Sequence, residues 1–219
     1  MRQGFDQGMN CTTGDTIPAK CAHCDKPMSK PLVCDFCRSL NPIPAIMDHF
    51  TLLGLPRQFV IDEEELHRKF VALNRHAHPD FHGGESPEVQ ELSLRVSAAI
   101  NDAYRTLKDP FTRAAYLLEL LGGKSSAEDK SVPDGFLGTM MMMQEELTDA
   151  KAQQNASELA RLRQVLQTQH DGLLARIANL FEEYQESVAC SAIRSDLLDE
   201  IRKHANAVSY VKKLLSLMT

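Results

Sequence analysis

Tryptophan is absent from the 219 residues, tyrosine occurs four times, and aromatic residues make up only 6% of the chain. Sheets draw on aromatic and β-branched side chains, so an apolar content carried by Leu, Ala and nine Met favours helix instead. No apolar run approaches the roughly 20 residues needed to cross a bilayer, so no membrane partner is expected. Basic charge is also short: 24 Lys and Arg against 30 Asp and Glu leave a formal charge of -6. General nucleic-acid binding needs a net basic surface or a strong basic patch, and neither is present. The first twenty residues lack the apolar core of a signal peptide and the Arg-rich amphipathic pattern of a transit peptide. They read as a weakly ordered tail, and a reducing compartment is expected, a bacterial cytoplasm ahead of a mitochondrial matrix.

What is present begins with 43% hydrophobic and 25% charged residues, the balance of a soluble globular protein with room for one or two small domains. Four of the six cysteines form two CxxC knuckles, Cys21/Cys24 and Cys34/Cys37, separated by nine residues. Each knuckle brings two thiolates to one ion, and a four-thiolate tetrahedron is the preferred structural environment of Zn2+. The expectation is a small zinc-ribbon or rubredoxin-like module at 19–43, in which the metal replaces a core too small to stand alone. His23 is expected to face solvent, and Cys11, in the tail at 1–18, to be an unligated thiol.

Asn41-Pro42-Ile43-Pro44 forms a stiff hinge. A short helix follows from Ala45 to about Leu55, with Ile46, Phe50 and Leu53 on one face. Asp62 then opens a helix whose first turn, Glu63, Glu64 and Glu65, complements the helix dipole. Leu66, Phe70, Leu73 and Ala77 recur at helical spacing until Pro79 ends the helix. His78 is thereby turned out of the helix and Asp80 begins a loop. His76, His78, Asp80 and His82 also spell a pattern close to the HxHxDH metal loop of a hydrolase fold. Phe81 interrupts it and no strand pattern surrounds it, so His76 reads as a surface residue and His82 as part of a mobile loop with Gly83 and Gly84.

Ser86-Pro87-Glu88 is an N-cap, a first-position proline and an acidic first turn. Val89, Leu92, Val96, Ala99, Ile100, Ala103, Tyr104 and Leu107 give the ensuing helix a face toward the previous one. Asp109-Pro110 starts a fourth helix ending at Gly122-Gly123. Residues 124–133 are a polar linker. Beyond them, helices at about 134–151, 156–186 and 192–218 carry apolar stripes suited to a three-helix bundle. In the first of these, Met140-Met141-Met142-Met143 covers every side of the helix. Some methionine must therefore remain exposed, as on adaptable partner-binding surfaces.

Two antiparallel helices holding His78-Pro79-Asp80 in their connection resemble a J-domain, the module through which co-chaperones engage heat-shock-70-class ATPases. Leu52-Leu53-Gly54-Leu55 and Ile100-Asn101-Asp102-Ala103-Tyr104 fit the same pattern. Followed directly by a helical bundle containing Phe136-Leu137 and Glu145-Glu146-Leu147, the chain resembles the HscB-type co-chaperones of iron-sulfur cluster assembly from about Ile46 to Leu215. The two-knuckle module is similar to the amino-terminal extension of some members. The resemblance implies an all-α protein with a J-domain at 44–123, the linker at 124–133 and a scaffold-binding bundle at 134–219.

It further implies a non-enzymatic adaptor. His78, Pro79 and Asp80, assisted by Arg68, Lys69 and Arg75, would stimulate an HscA- or DnaK-type chaperone. Leu137, Met141, Met142, Glu145 and Leu197 would hold an IscU-like scaffold protein; Gly138 stands where the family often has a larger apolar residue, and Met142 where an acid can stand. The zinc module would stabilise the chain, mediate weak self-association or add a contact. Two other classes compete: a general J-protein recruiting another client through the methionine helix, and a zinc-ribbon regulator of nucleic acid.

Overall fold

The computed structural model describes residues 20–30, 32–45, 47–187 and 191–218; the tail at 1–18 with Cys11, Ile46 and Cys190 lie outside them. Seven α-helices and no β-strand are found among the described residues. They divide into two compact units, and the chain passes between these more than once. One unit comprises the residues up to Pro56 together with Glu63–Arg105, the other Arg57–Asp62 together with everything from Thr106.

In the first unit, α1 (His49–Leu53) is one turn shorter at its start than the periodicity implies. The cause is Asp48, whose carboxylate accepts from the Thr51 amide at 3.0 Å and the Thr51 hydroxyl at 2.8 Å and so fixes the cap there. Gly54 ends the helix in the left-handed region at φ 67°. α2 (Glu63–Ala77) and α3 (Pro87–Lys108) run antiparallel. Ser93 Oγ donates to the Ala77 carbonyl at 2.8 Å, Ser97 reaches Asn74 at 3.5 Å, and the rings of Phe70 and Tyr104 stack with centroids 4.1 Å apart. Val96, Ile100 and Ala103 are buried as expected, and so are the small hydroxyl residues Ser93 and Ser97. Small residues let the two helices approach closely at the corner end.

The second unit gathers α4 (Pro110–Leu120), α5 (Phe136–Ala152), α6 (Ala156–Glu186) and α7 (Ser191–Ser216). Phe136, Met140 and Met143 of α5 pack with Leu166 of α6 and with Ala207, Val211 and Leu214 of α7. Ile193, near the start of α7, is exposed.

The division at residue 124 is not where this unit begins. α4 joins it through Asp109, whose carboxylate meets Lys212 at 3.0 Å, and through Phe111, whose ring lies 4.8 Å from the same ammonium. The segment Arg57–Asp62 inserts Phe59 between the ring of Phe181, at 5.4 Å, and the buried guanidinium of Arg113, at 5.3 Å. Arg113 also donates to the Leu107 carbonyl at 2.5 Å.

Residues 124–133, read from the sequence as a polar linker, are held against α7. Arg202, only 2% exposed, donates to the Lys124 carbonyl at 2.6 Å. Asn206, also buried, donates to the carbonyls of Asp129 and Ser131 at 2.9 and 2.8 Å. Two polar residues inside a helical bundle need acceptors, and the carbonyls of this strap supply them to Arg202 Nε and Asn206 Nδ2. Replacing Asn206 by alanine leaves both carbonyls without that donor. It is expected to cost about 1–2 kcal/mol, read as a lowered midpoint of thermal unfolding.

Candidate functional site

Three regions carry chemistry: the cysteine module, the corner between α2 and α3, and the outer face of α5. In the module the two knuckles repeat one backbone plan. The Cys21 amide donates to the Lys26 carbonyl at 2.9 Å and the Cys34 amide to the Ser39 carbonyl at 3.1 Å. The residue after each knuckle, Asp25 at φ 58° and Arg38 at φ 62°, takes the left-handed turn. All four sulfurs lie within 4.8 Å of one another, with Cys21 to Cys37 at 3.6 Å and Cys24 to Cys34 at 3.7 Å. These separations far exceed a disulfide bond. They match the roughly 3.8 Å edge of a tetrahedron with metal–sulfur bonds of about 2.3 Å.

The surroundings also suit thiolates. The amides of His23 and Phe36 donate to Cys21 and Cys34 at 3.4 Å, and Asn41 Nδ2 points to Cys21 at 3.7 Å. Ser39, 3.3 Å from Cys37, brings that thiol down to about 6. The Lys26 amide pulls Cys24 downward, but burial and the three neighbouring sulfurs outweigh it and push this thiol up to about 12. Four sulfurs this close cannot all ionise without a cation, so the donor set fits a metal ion. His23 is exposed and outside the cluster. Val33 and Cys34 of the module share an apolar groove of about 280 Å³ with Leu52, Leu53, Ala72 and Leu73 of α1 and α2.

At the corner, α2 stops where Pro79 removes the next amide, and Pro79–Phe81 forms a single 3₁₀ turn capped by His78. The Asp80 amide donates to His78 Nδ1 at 3.3 Å. That bond makes Nδ1 the acceptor and leaves Nε2–H as the outward donor. The Asp80 carboxylate stands 3.5 Å from the same ring with its side chain 84% exposed. The structure therefore presents a carboxylate and an imidazole side by side on a short rigid turn.

Of the three cations expected to assist, Arg68 and Arg75 are exposed and, being seven residues apart, share a face of α2. Lys69 is turned away from them, its ammonium bonded to the Gly54 carbonyl and paired with Glu65 at 2.9 Å. It fastens α1 to α2. The residues read as mobile loop are also tied down: His82 lies 2.9 Å from the His76 carbonyl and 3.1 Å from Glu85, and Gln90 donates to the carbonyls of Gly83 and Glu85. Phe81, 69% exposed beside Asp80, was visible in the sequence only as an apolar residue following the tripeptide.

On α5, Phe136, Met140, Met143, Leu147 and Ala150 face the bundle core. Leu137, Met141 and Met142 are exposed, and Met141 lines a shallow depression with Glu145. Leu137, Met141 and Glu145 follow one another at four-residue spacing and so share a stripe. Leu197 does not join it. It is half-buried near the start of α7, about 20 Å of helix rise before Tyr210, whose ring meets Phe136 at 6.2 Å.

A family model described as the HSCB C-terminal oligomerisation domain matches residues 132–216. The chain is 32% identical over 157 residues to the iron-sulfur cluster co-chaperone protein HscB of Mus musculus, covering 69% of this chain and 67% of the relative. It is 35% identical over 134 residues to the co-chaperone protein HscB of Proteus mirabilis, covering 58% of this chain and 78% of the relative. The crystal structure of human co-chaperone protein HscB superposes with a TM-score of 0.76 over 91% of this chain and 96% of that one; at 23% identity this likeness speaks for the fold alone. Chaperone HscB from Vibrio cholerae gives a TM-score of 0.59 at 28% identity, covering 79% of this chain and all of that one.

Proposed function

This chain belongs to the HscB family of iron-sulfur cluster co-chaperones, and from that premise we propose that it couples an IscU-like scaffold protein to a heat-shock-70-class ATPase of the HscA or DnaK type. The protein is a co-chaperone of iron-sulfur cluster assembly, and the hydrolytic chemistry belongs to its chaperone rather than to its own residues.

The observation that carries the reading is the exposed His78-Pro79-Asp80 turn, held rigid between α2 and α3. Its carboxylate can pair with a cation of the chaperone and its imidazole Nε2–H can donate alongside. Arg68 and Arg75 extend the contact to an acidic surface. A ligand that binds one chaperone state better than another shifts the equilibrium by that difference, which suffices to favour the hydrolysis-competent form. The α5 stripe of Leu137, Met141, Met142 and Glu145 holds the scaffold protein: flexible thioethers conform to its surface, and the acid sets the register.

Cys21, Cys24, Cys34 and Cys37 hold Zn2+, which supplies a structural cross-link and no reaction step. The working compartment is a bacterial cytoplasm.

Steady-state ATP hydrolysis by the cognate chaperone, with and without scaffold protein, tests this. The wild-type chain is expected to stimulate hydrolysis, and more strongly with scaffold. A triple variant, Leu137→Ala with Met141→Ala and Met142→Ala, keeps the scaffold-independent stimulation. It loses the enhancement, and its affinity for scaffold falls at least about tenfold, each buried apolar side chain contributing roughly 1.5–3 kcal/mol. Enhancement that persists in the triple variant would move the scaffold to another face. No stimulation of any chaperone would sink the reading.

A further inference from the structure

The carbonyls at the end of a helix have no partner within it and must find one elsewhere. At the end of α2 the partners can be named. The Asn74 carbonyl accepts from the His78 amide at 2.9 Å, the Ala77 carbonyl from Ser93 Oγ at 2.8 Å, and the His76 carbonyl from the ring of His82 at 2.9 Å. The first two bonds involve the turn's own backbone and α3. The third reaches back from beyond the 3₁₀ turn and closes a loop around it.

A carbonyl only accepts, so the nitrogen of His82 that faces it, Nε2, must carry the proton. The other nitrogen, Nδ1, lies 3.1 Å from Glu85 Oε1 and donates to it when the ring is doubly protonated. The His82 side chain is only 13% exposed, although the residue sits between exposed Phe81 and exposed Gly83. The backbone around it is turned to match: the amides of Phe81, His82 and Glu85 donate to the carbonyls of His78, Pro79 and His82 at 3.0, 2.9 and 3.0 Å. His78, Pro79 and Asp80 thus lie inside a ring closed at one end by α2 and at the other by His82.

We infer that His82 is a positioning residue for the chaperone-stimulating turn: by clasping the His76 carbonyl it holds Asp80 where the chaperone meets it. It touches nothing of the partner itself. Its effect is to raise the fraction of molecules whose turn is already in the binding geometry, and apparent affinity scales with that fraction. Gln90, bonded to the carbonyls of Gly83 and Glu85, supports the far side of the loop from α3.

The activity part of this inference rests on the proposed stimulation of a heat-shock-70-class ATPase; the structural part does not. The experiment therefore has two arms, run on the full chain with His82→Phe, which fills similar space without a donor, and His82→Gln, whose amide Nε2 can still donate to the His76 carbonyl. In the first arm, amide hydrogen exchange of Phe81, His82 and Glu85 is expected to accelerate at least fivefold in His82→Phe and to return toward wild type in His82→Gln. Exchange in the middle of α6 serves as the unchanged reference. In the second arm, the co-chaperone concentration giving half-maximal ATPase stimulation is expected to rise about fivefold in His82→Phe with the maximum retained, and to recover in His82→Gln.

Wild-type exchange in His82→Phe, or a His82→Gln variant no better than His82→Phe in either arm, overturns the inference. Should the wild-type chain fail to stimulate any chaperone, the functional reading falls, and the exchange arm still decides whether His82 holds the turn.

Discussion

Replacing Asp80 with asparagine is expected to lower stimulation of the chaperone ATPase at least tenfold while leaving thermal unfolding within about 2 °C of wild type. The side chain is 84% exposed, and its neighbour within the molecule is His78 Nδ1 at 3.5 Å, so the fold asks little of it. Asparagine has the same shape and removes only the charge. A charge-assisted hydrogen bond to a cationic partner contributes roughly 1.5–3 kcal/mol, which corresponds to about a tenfold to 150-fold change in an equilibrium. Steady-state hydrolysis at several co-chaperone concentrations, beside a melting curve of each protein, checks both halves. Full stimulation by the Asp80→Asn variant would show that the carboxylate is not the group the chaperone reads. The corner would then have to act through His78 or the exposed ring of Phe81.

Removing a metal ion from the four-cysteine site is expected to have a larger energetic effect, confined to a smaller part of the molecule. Binding of a structural zinc ion to four thiolates contributes on the order of 10–16 kcal/mol at neutral pH, more than the whole stability of a small domain. Among its described residues the module has no strand, only the isolated bridges Lys20 to Pro27 and Val33 to Leu40. Its cysteines pack around Met28, and the other apolar residues it buries are Leu32, Val33 and Leu40. Without the ion the crowded sulfurs cannot all stay ionised, and it is Cys24, pushed up to about 12 by burial and its three sulfur neighbours, that holds its proton.

Chelation is therefore expected to unfold residues 21–37 and to release one metal ion per chain, with at least about nine-tenths of the helical circular dichroism retained. The helices are held by contacts in which the thiolates take no part. Acid should help the chelator, because each thiolate exchanges the metal for a proton. A collapse of helical signal on chelation would show that the module supports the helical hairpin through the groove it shares with α1 and α2.

Much of this protein was legible because the signals that shape it are local. Pro79 ends α2, the Ser86-Pro87-Glu88 run opens α3, and Asp109 caps α4 by accepting from the Thr112 amide at 2.9 Å. Each of these acts within a few residues. The methionine run resolved in the same way: a helical period forces Met140 and Met143 inward once Phe136 and Leu147 are in the core, which leaves Met141 and Met142 outside.

The misread positions share a different character. His82 looked like loop because its partner, the His76 carbonyl, is backbone and carries no residue signature. Lys69 looked like a free surface cation because Gly54, which its ammonium meets, lies fifteen residues earlier and offers only a carbonyl. Leu197, grouped with the α5 residues as a scaffold contact on the strength of a resemblance, lies half-buried near the start of α7, because similarity carries identity but not distance along a helix.

The sequence by itself determined the helical class, the ends of most helices, the four ligands of the metal module and the tripeptide at the corner. Capping, periodicity and ligand spacing are set by neighbours along the chain, so the chain states them directly. Only the tertiary structure decided that Phe59 and α4 belong with the bundle, that residues 124–133 are fastened to Arg202 and Asn206, and that His82 closes the turn around Asp80. Those choices satisfy buried polar groups and unfilled apolar surface with partners far away or on the backbone. Burial creates such a demand without specifying in the local sequence which residue will meet it.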